Sequence, residues 1–322
     1  MLAVIFLCAV FWQTFQNAIN KPLPLEQNVL IEIEKGDSLS RIAEKLGLAL
    51  NISSGWLKLA ALLQHDVRKL KAGEYEITNG MTATDILLRI ASGKTKQYAI
   101  TFPEGWAFNS IFELIQNTPT IKHSLSKDDI VPLILQLGAQ VQNPEGLFFP
   151  DTYFFEKNTT DAALLKIAYH RMQSVLKKEW QNRAENLPFV DPYQTLILAS
   201  IVEKETAVAD ERPLIAGVFI RRLQAGMLLQ TDPTVIYGMG NNYKGNITAA
   251  DLKQPTPYNT YIIKGLPPTP IAMPGKQAIH AALHPEAGDT LYFVARGDGT
   301  HVFSSSLPAH NMAVNTFQKK NK

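Results

Sequence analysis

The sequence holds one cysteine, Cys8, among 322 residues. That excludes an intramolecular disulfide framework and any cysteine-rich zinc or iron–sulfur centre. A charge bias is also missing. The 31 Lys and Arg stand against 29 Asp and Glu, for a net charge of +2. Such balance gives no electrostatic ground for a nucleic-acid partner. No G-x-S-x-G elbow, P-loop or H-E-x-x-H run occurs. Gly238-Met239-Gly240 starts like a dinucleotide fingerprint, but Tyr243 stands where the third glycine belongs. His280 and His284 have the i,i+4 spacing of a metal pair, yet no carboxylate lies suitably between them and Pro285 follows. Helix-end packing is the plainer reading there, so neither a metal nor a cofactor is expected. No internal repeat is visible.

What is present is ordinary globular material, 46% hydrophobic and 19% charged. The length suits about two domains. Met1 to Asn20 carry no charged side chain, Leu2 to Trp12 are almost wholly apolar, and Lys21-Pro22-Leu23-Pro24 ends any helix. A bilayer span takes about 20 mainly apolar residues. Residues 1–20 therefore read as an uncleaved transmembrane signal anchor, ahead of a cleaved signal or a buried terminal helix. No A-x-A cleavage site is evident, and a start codon placed too late would explain the missing basic flank.

Residues 28–34 alternate apolar and polar, a strand pattern. Ser38 can cap a helix carrying Leu39, Ile42, Ala43 and Leu46, with Gly47 as its stop. A helix over 56–63, a strand over 72–77 and a helix capped by Thr82 or Thr84 and closed by Gly93 complete a βααβα unit at 28–93. A strand and a helix then occupy part of a connecting region, 97–144, whose remainder reads as polar linker. From Glu145 the chain turns aromatic, and helices are expected over 162–181, 193–206 and 213–225. Six prolines (Pro255, Pro257, Pro267, Pro268, Pro270 and Pro274) make a fixed irregular loop. A strand near 290–295 and a short terminal helix follow, and 145–318 reads as one larger domain. The fold class is α+β.

The segment 196–206 carries the most chemistry. At about 100° per residue, Leu198, Ile201 and Val202 fall on the same side of the helix as Glu205. Glu203 falls on the opposite side, towards solvent or another domain. A carboxyl on an apolar face is costly to ionise, which suits an acid catalyst near neutral pH. A structural ion pair with Arg212, Arg221 or Arg222 explains the same pattern and stays open. Gln230, Asp232 and Tyr237 stand near Pro233, and Tyr258, Asn259 and Tyr261 sit in the Pro-rich loop. Rings beside amides and hydroxyls suit sugars, while turn capping and loop packing explain them equally well.

Taken together, "LASIVEKETAVADER", "LQTDPTVIYGMG", "PTPYNTY", "GLPPTPIAMPG", "LYFVARGDGTHVFSSSLPAHN" and "EGLFFPDTYFF" resemble the YceG-like endolytic murein transglycosylases, the MltG type. The resemblance runs from about Gln97 to Phe317. Lys35-Gly36-Asp37-Ser38-Leu39, followed by Ala72-Gly73-x-Tyr75, is similar to LysM peptidoglycan-binding modules.

The resemblance implies an enzyme that cuts peptidoglycan between MurNAc and GlcNAc without water, leaving a 1,6-anhydro-MurNAc end. It implies Glu205, before Thr206, as the catalytic acid and base. Gln230, Asp232, Tyr237, Tyr258, Asn259 and Tyr261 become candidates for glycan contact, with Glu145 and Asp151 contacting glycan or ordering the site. The implied partners are peptidoglycan glycan strands, the membrane and the synthases that make new strands. The implied place is the bacterial inner (cytoplasmic) membrane, crossed once, with the catalytic domain in the periplasm. Two rivals stand beside this reading: a hydrolase pairing Glu205 with Asp232 or Asp151, and a membrane-anchored peptidoglycan-binding scaffold without catalysis.

Overall fold

The computed structural model describes residues 1–63 and 70–318. The chain divides into two compact units, Met1–Ala99 with Phe154–Thr159, and Ile100–Tyr153 with Thr160–Lys322.

The first unit opens with helix α1 (Leu2–Asn20). Among the described residues it is the one helix long and apolar enough to cross a bilayer. Its first turns are exposed, while Phe15 and Ile19 are buried. Phe11 and Phe15 place their rings 5.2 and 5.6 Å from that of Trp56. Then come β1 (Val29–Ile33), α2 (Leu39–Leu50), α3 (Ser54–Leu63), β2 (Gly73–Ile77) and α4 (Ala83–Ser92), in the order β-α-α-β-α. The strands pair antiparallel with Ile31 opposite Tyr75, and Ile31, Ile33, Tyr75 and Ile77 enter the core.

Caps explain the helix boundaries. Thr82 and Asp85 form a reciprocal capping box, and Gly93 closes α4 in the left-handed region. The expected stop at Gly47 does not occur. Helix α2 runs on to Leu50, and Asn51 at φ 55° ends it instead. Gly47 serves packing, since a Cβ there would meet the Ile52 carbonyl oxygen at 2.7 Å.

Strands β3 (Gln97–Thr101) and β4 (Thr152–Glu156) pair with each other, and each contributes residues to both units. The second unit is otherwise largely helical. It holds α5 (Phe108–Gln116), α6 (Ile130–Gln136), α7 (Asp161–Gln181), α8 (Pro192–Glu205), α9 (Arg212–Gln224), α10 (Asp232–Met239) and α11 (Lys276–Leu283). The antiparallel hairpin β5 (Tyr292–Ala295) and β6 (His301–Ser304) precedes α12 (Leu307–Phe317).

Helix α6 lies inside the stretch expected to be linker, and its Ile130 and Ile134 are buried. Helix α8 is at the centre. Asp191 caps it, Pro192 occupies its first turn, and Thr195 through Val202 are all buried. Over 195–202 the helix is enclosed on every side and has no solvent face, so the expected division into apolar and outward sides fails there. The Pro-rich segment 254–275 contains no helix or strand. It is fixed to α8 by bonds from Ile271 N to Ser200 Oγ (2.9 Å) and from Gly275 N to Glu203 Oε2 (2.9 Å).

Candidate active site

Glu205 is the last residue of α8, and extended Thr206 stops the helix. Next to it opens a cleft of about 360 Å³, also lined by Gln230, Thr231, Asp232, Tyr261, Arg222 and His301. Burial is the main reason the Glu205 carboxyl is raised to about 7. The Asp232 charge pushes the same way, while the Thr231 hydroxyl, which donates to Glu205 Oε1, and nearby His301 pull it down. The negative end of the α8 dipole also disfavours a carboxylate. Glu205 is thus a carboxyl poised to exchange its proton near neutral pH.

The three arginines considered as its partners are engaged elsewhere. Arg212 pairs with Glu203 at 3.0 Å, and both side chains are buried. Arg221 donates to the Thr290 and Glu286 carbonyls, at 2.7 and 2.9 Å. Arg222 donates to the carbonyls of Leu291 (2.7 Å), Leu228 (3.1 Å) and Leu229 (3.0 Å), and to Gln230 Oε1 (3.3 Å). The ion pair in this helix belongs to Glu203. That corrects the expectation of an outward-facing Glu203.

Gln230 adopts φ 53°, a left-handed conformation that turns the chain into α10. The Pro-rich loop holds this turn through Thr260. Its carbonyl accepts from Gln230 N at 3.1 Å, its hydroxyl accepts from Thr231 N at 3.1 Å, and its Oγ lies 2.8 Å from Thr234 Oγ. Asp232 begins α10 and is exposed in the cleft, where its carboxylate accepts from the Tyr261 hydroxyl at 2.6 Å. Burial and that acceptor both make the Tyr261 phenol harder to ionise.

His301, outside the expected set, also lines this cleft, and buried Glu211 holds it from behind. His301 starts β6, and its Nδ1 lies 2.7 Å from Glu211 Oε2. Its backbone N–H donates to Glu211 Oε1, also at 2.7 Å. Burial alone would raise the Glu211 carboxyl, but these His301 contacts win and hold it below its ordinary value. The Thr206 hydroxyl donates to Glu211 Oε2 at 3.3 Å, so Glu211 ties the end of α8 to the histidine. With Nδ1 against a carboxylate, the ring keeps Nε2 for the cleft it lines.

The remaining candidates separate from this group. Glu145 is buried, accepts from Phe108 N at 2.9 Å and from the Tyr237 hydroxyl at 3.1 Å, and is raised to about 7 by burial. Tyr237 and Tyr258 meet edge to face with centroids 4.8 Å apart, and the Tyr258 hydroxyl lies 2.9 Å from Thr269 Oγ. None of these three lines the Glu205 cleft. Gly146 sits at φ 76°, and a Cβ there would meet Pro270 at 2.5 Å, so the Pro-rich loop packs directly on this motif.

Asn259 lies within the Pro-rich loop and away from the cleft lining. It is 1% exposed, its amide donates to the carbonyls of Asp251, Leu252 and Gln254, and its Oδ1 accepts from Tyr261 N. Asp151 pairs with Arg171 and accepts from Thr152 N at 2.8 Å, which orders the chain at β4. Of the nine candidates, Glu205, Gln230, Asp232 and Tyr261 share one cleft.

The YceG-like family model matches residues 31–316. An endolytic murein transglycosylase of Bacillus subtilis (strain 168) is 32% identical over 308 residues, covering 88% of this chain and 83% of its own. An endolytic murein transglycosylase of Streptococcus pneumoniae serotype 2 is 28% identical over 319 residues, covering 87% of this chain but 57% of its own. In three dimensions the chain is similar to a YceG-like protein of Listeria monocytogenes. The TM-score is 0.57 and the identity 30%, over 89% of this chain and 99% of the other.

Proposed function

The chain belongs to the YceG-like family, and from that membership we propose that it is an endolytic lytic transglycosylase of peptidoglycan, with Glu205 as its acid and base. The observation that carries this is Glu205 itself, a carboxyl raised to about 7 in an open cleft, beside a hydroxyl donor and with the three nearby arginines engaged elsewhere.

In the proposed reaction neutral Glu205 gives its proton to the oxygen between MurNAc and GlcNAc. The C1–O bond breaks as positive charge develops on the MurNAc ring. The Glu205 carboxylate then takes the proton of the C6 hydroxyl, whose oxygen bonds to C1 and closes the 1,6-anhydro ring. Every atom comes from the substrate and Glu205, so no water is consumed. Asp232, held by Tyr261, supplies negative charge near the developing cation, an electrostatic role. Gln230 and His301 offer hydrogen bonds to sugar substituents.

One observation favours a second reading. Asp232 is another carboxylate in the same cleft, and glycoside hydrolases ordinarily need two. Product mass separates the two reactions. Digestion of purified sacculi should release fragments lighter by one water than hydrolysed ones. Fragments carrying a reducing end would assign the chain to hydrolysis.

The further parts of the proposal follow the same family. Residues 1–20 tether the chain to the inner membrane, 28–93 form a LysM-like glycan-binding part, and 145–318 hold the catalytic machinery in the periplasm. Cutting near the membrane would end new strands as synthases extrude them.

A further inference from the structure

We propose that Glu179, His280 and His284 form a binding site for one divalent metal ion of the zinc class. The sequence places no carboxylate between the two histidines, but the fold brings one from another helix. Glu179 lies in the last turns of α7, His280 lies on α11, and His284 follows the last residue of α11. His280 Nδ1 is 2.8 Å from Glu179 Oε2. The two imidazoles stack with centroids 4.2 Å apart.

One ligand atom from each residue lies within 4.8 Å of those of the other two. Tetrahedral zinc, with bonds near 2.1 Å, asks for ligand atoms roughly 3.4 Å apart. The 2.8 Å separation and the 4.8 Å upper limit leave only about an ångström of side-chain adjustment to reach that spacing. A carboxylate with two imidazoles is a zinc donor set that leaves a fourth position for water. The open cavity of about 680 Å³ beside the three residues has room for that water.

The local charge balance permits a cation. Glu179 is nearly buried and carries the negative charge. Arg212 lines the same cavity, but Glu203 pairs with it at 3.0 Å. Lys276 is exposed and free to swing into solvent. None of the three proposed ligands lines the Glu205 cleft. The ion would clamp α7 to α11, which packs against the catalytic helix α8. This proposal does not rest on the glycan-cutting reaction.

The test is zinc titration of the full chain, detergent-solubilised, free of any polyhistidine tag and stripped with chelator. Calorimetry should give one equivalent. Saturation to about 100 times Kd should raise Tm by about 5–10 °C. His280→Ala and His284→Ala should each weaken binding by about tenfold or more. His280 is exposed and His284 half-buried, so these variants keep their fold where Glu179→Gln could fail. His301→Asn should bind zinc as the wild type does. Absence of uptake by the wild type, or uptake unchanged in both histidine variants, would overturn the proposal.

Discussion

The Thr231 hydroxyl donates to the Glu205 carboxyl, joining the end of α8 to the residue just before α10. Such a bond favours the carboxylate and offsets part of the burial that opposes it. Replacing Thr231 with Val should push Glu205 above its value of about 7. The alkaline limb of kcat/KM, where the acid is lost, should then move up by roughly 0.5–1 pH unit. A limb that stays in place would detach Thr231 from the catalytic proton.

Glu211 should act through His301. Its carboxylate holds the ring nitrogen and the backbone N–H of His301, each at 2.7 Å. Glu211→Gln should slow cutting by about 10–100-fold, the worth of a hydrogen bond to a charged group. His301→Asn should lower the rate comparably and leave the α8 packing intact. Because His301 helps to keep Glu205 down, its loss should also shift the alkaline limb upward. Normal rates in both variants would make this pair purely structural.

Glu203 and Glu205 should separate cleanly. Glu203→Gln leaves buried Arg212 with a weaker partner, at a cost of about 2 kcal/mol or more. Its Tm should fall, while turnover per folded molecule stays within a few-fold of wild type. Circular dichroism melts and product release at a temperature where both proteins are folded check this. Abolished turnover in a folded Glu203 variant would reverse the two roles.

Glu145 gives a stability prediction with a definite sign. Its carboxyl titrates near 7 in the folded chain against an ordinary 4.5. The folded state therefore binds its proton more tightly, and this stabilisation is lost as pH rises from about 4.5 to 7. Glu145→Gln removes that loss. It should be more stable than wild type at pH 8, by up to about 3 kcal/mol, and no more stable at pH 4.5. Equal Tm values at pH 8 would refute the buried acid.

How far the sequence reached depends on how far apart the partners lie. Gln230, Thr231 and Asp232 are consecutive, so one motif exposes the whole edge of the cleft. The β-α-α-β-α order was legible from alternation and from caps such as Thr82 and Gly93. Periodicity drew attention to Glu205 but misjudged Glu203, because a helix buried on every side has no outward face. His301 and Glu211 are 90 residues apart, and no local pattern links them. Asn259 looks like any sugar-binding amide until its three carbonyl acceptors are seen. Helix α6 was hidden by Pro132 inside it and by the polar run Ser126–Asp129 ahead of it.

The most direct measurement is digestion of purified sacculi by the wild type and by Glu205→Gln, with product masses from both. The amide keeps the shape and an acceptor for Thr231 but has no proton to give near neutral pH. Wild type should release fragments ending in 1,6-anhydro-MurNAc, and the folded variant should release none above background. Release of the same fragments at a substantial rate by Glu205→Gln would contradict the account.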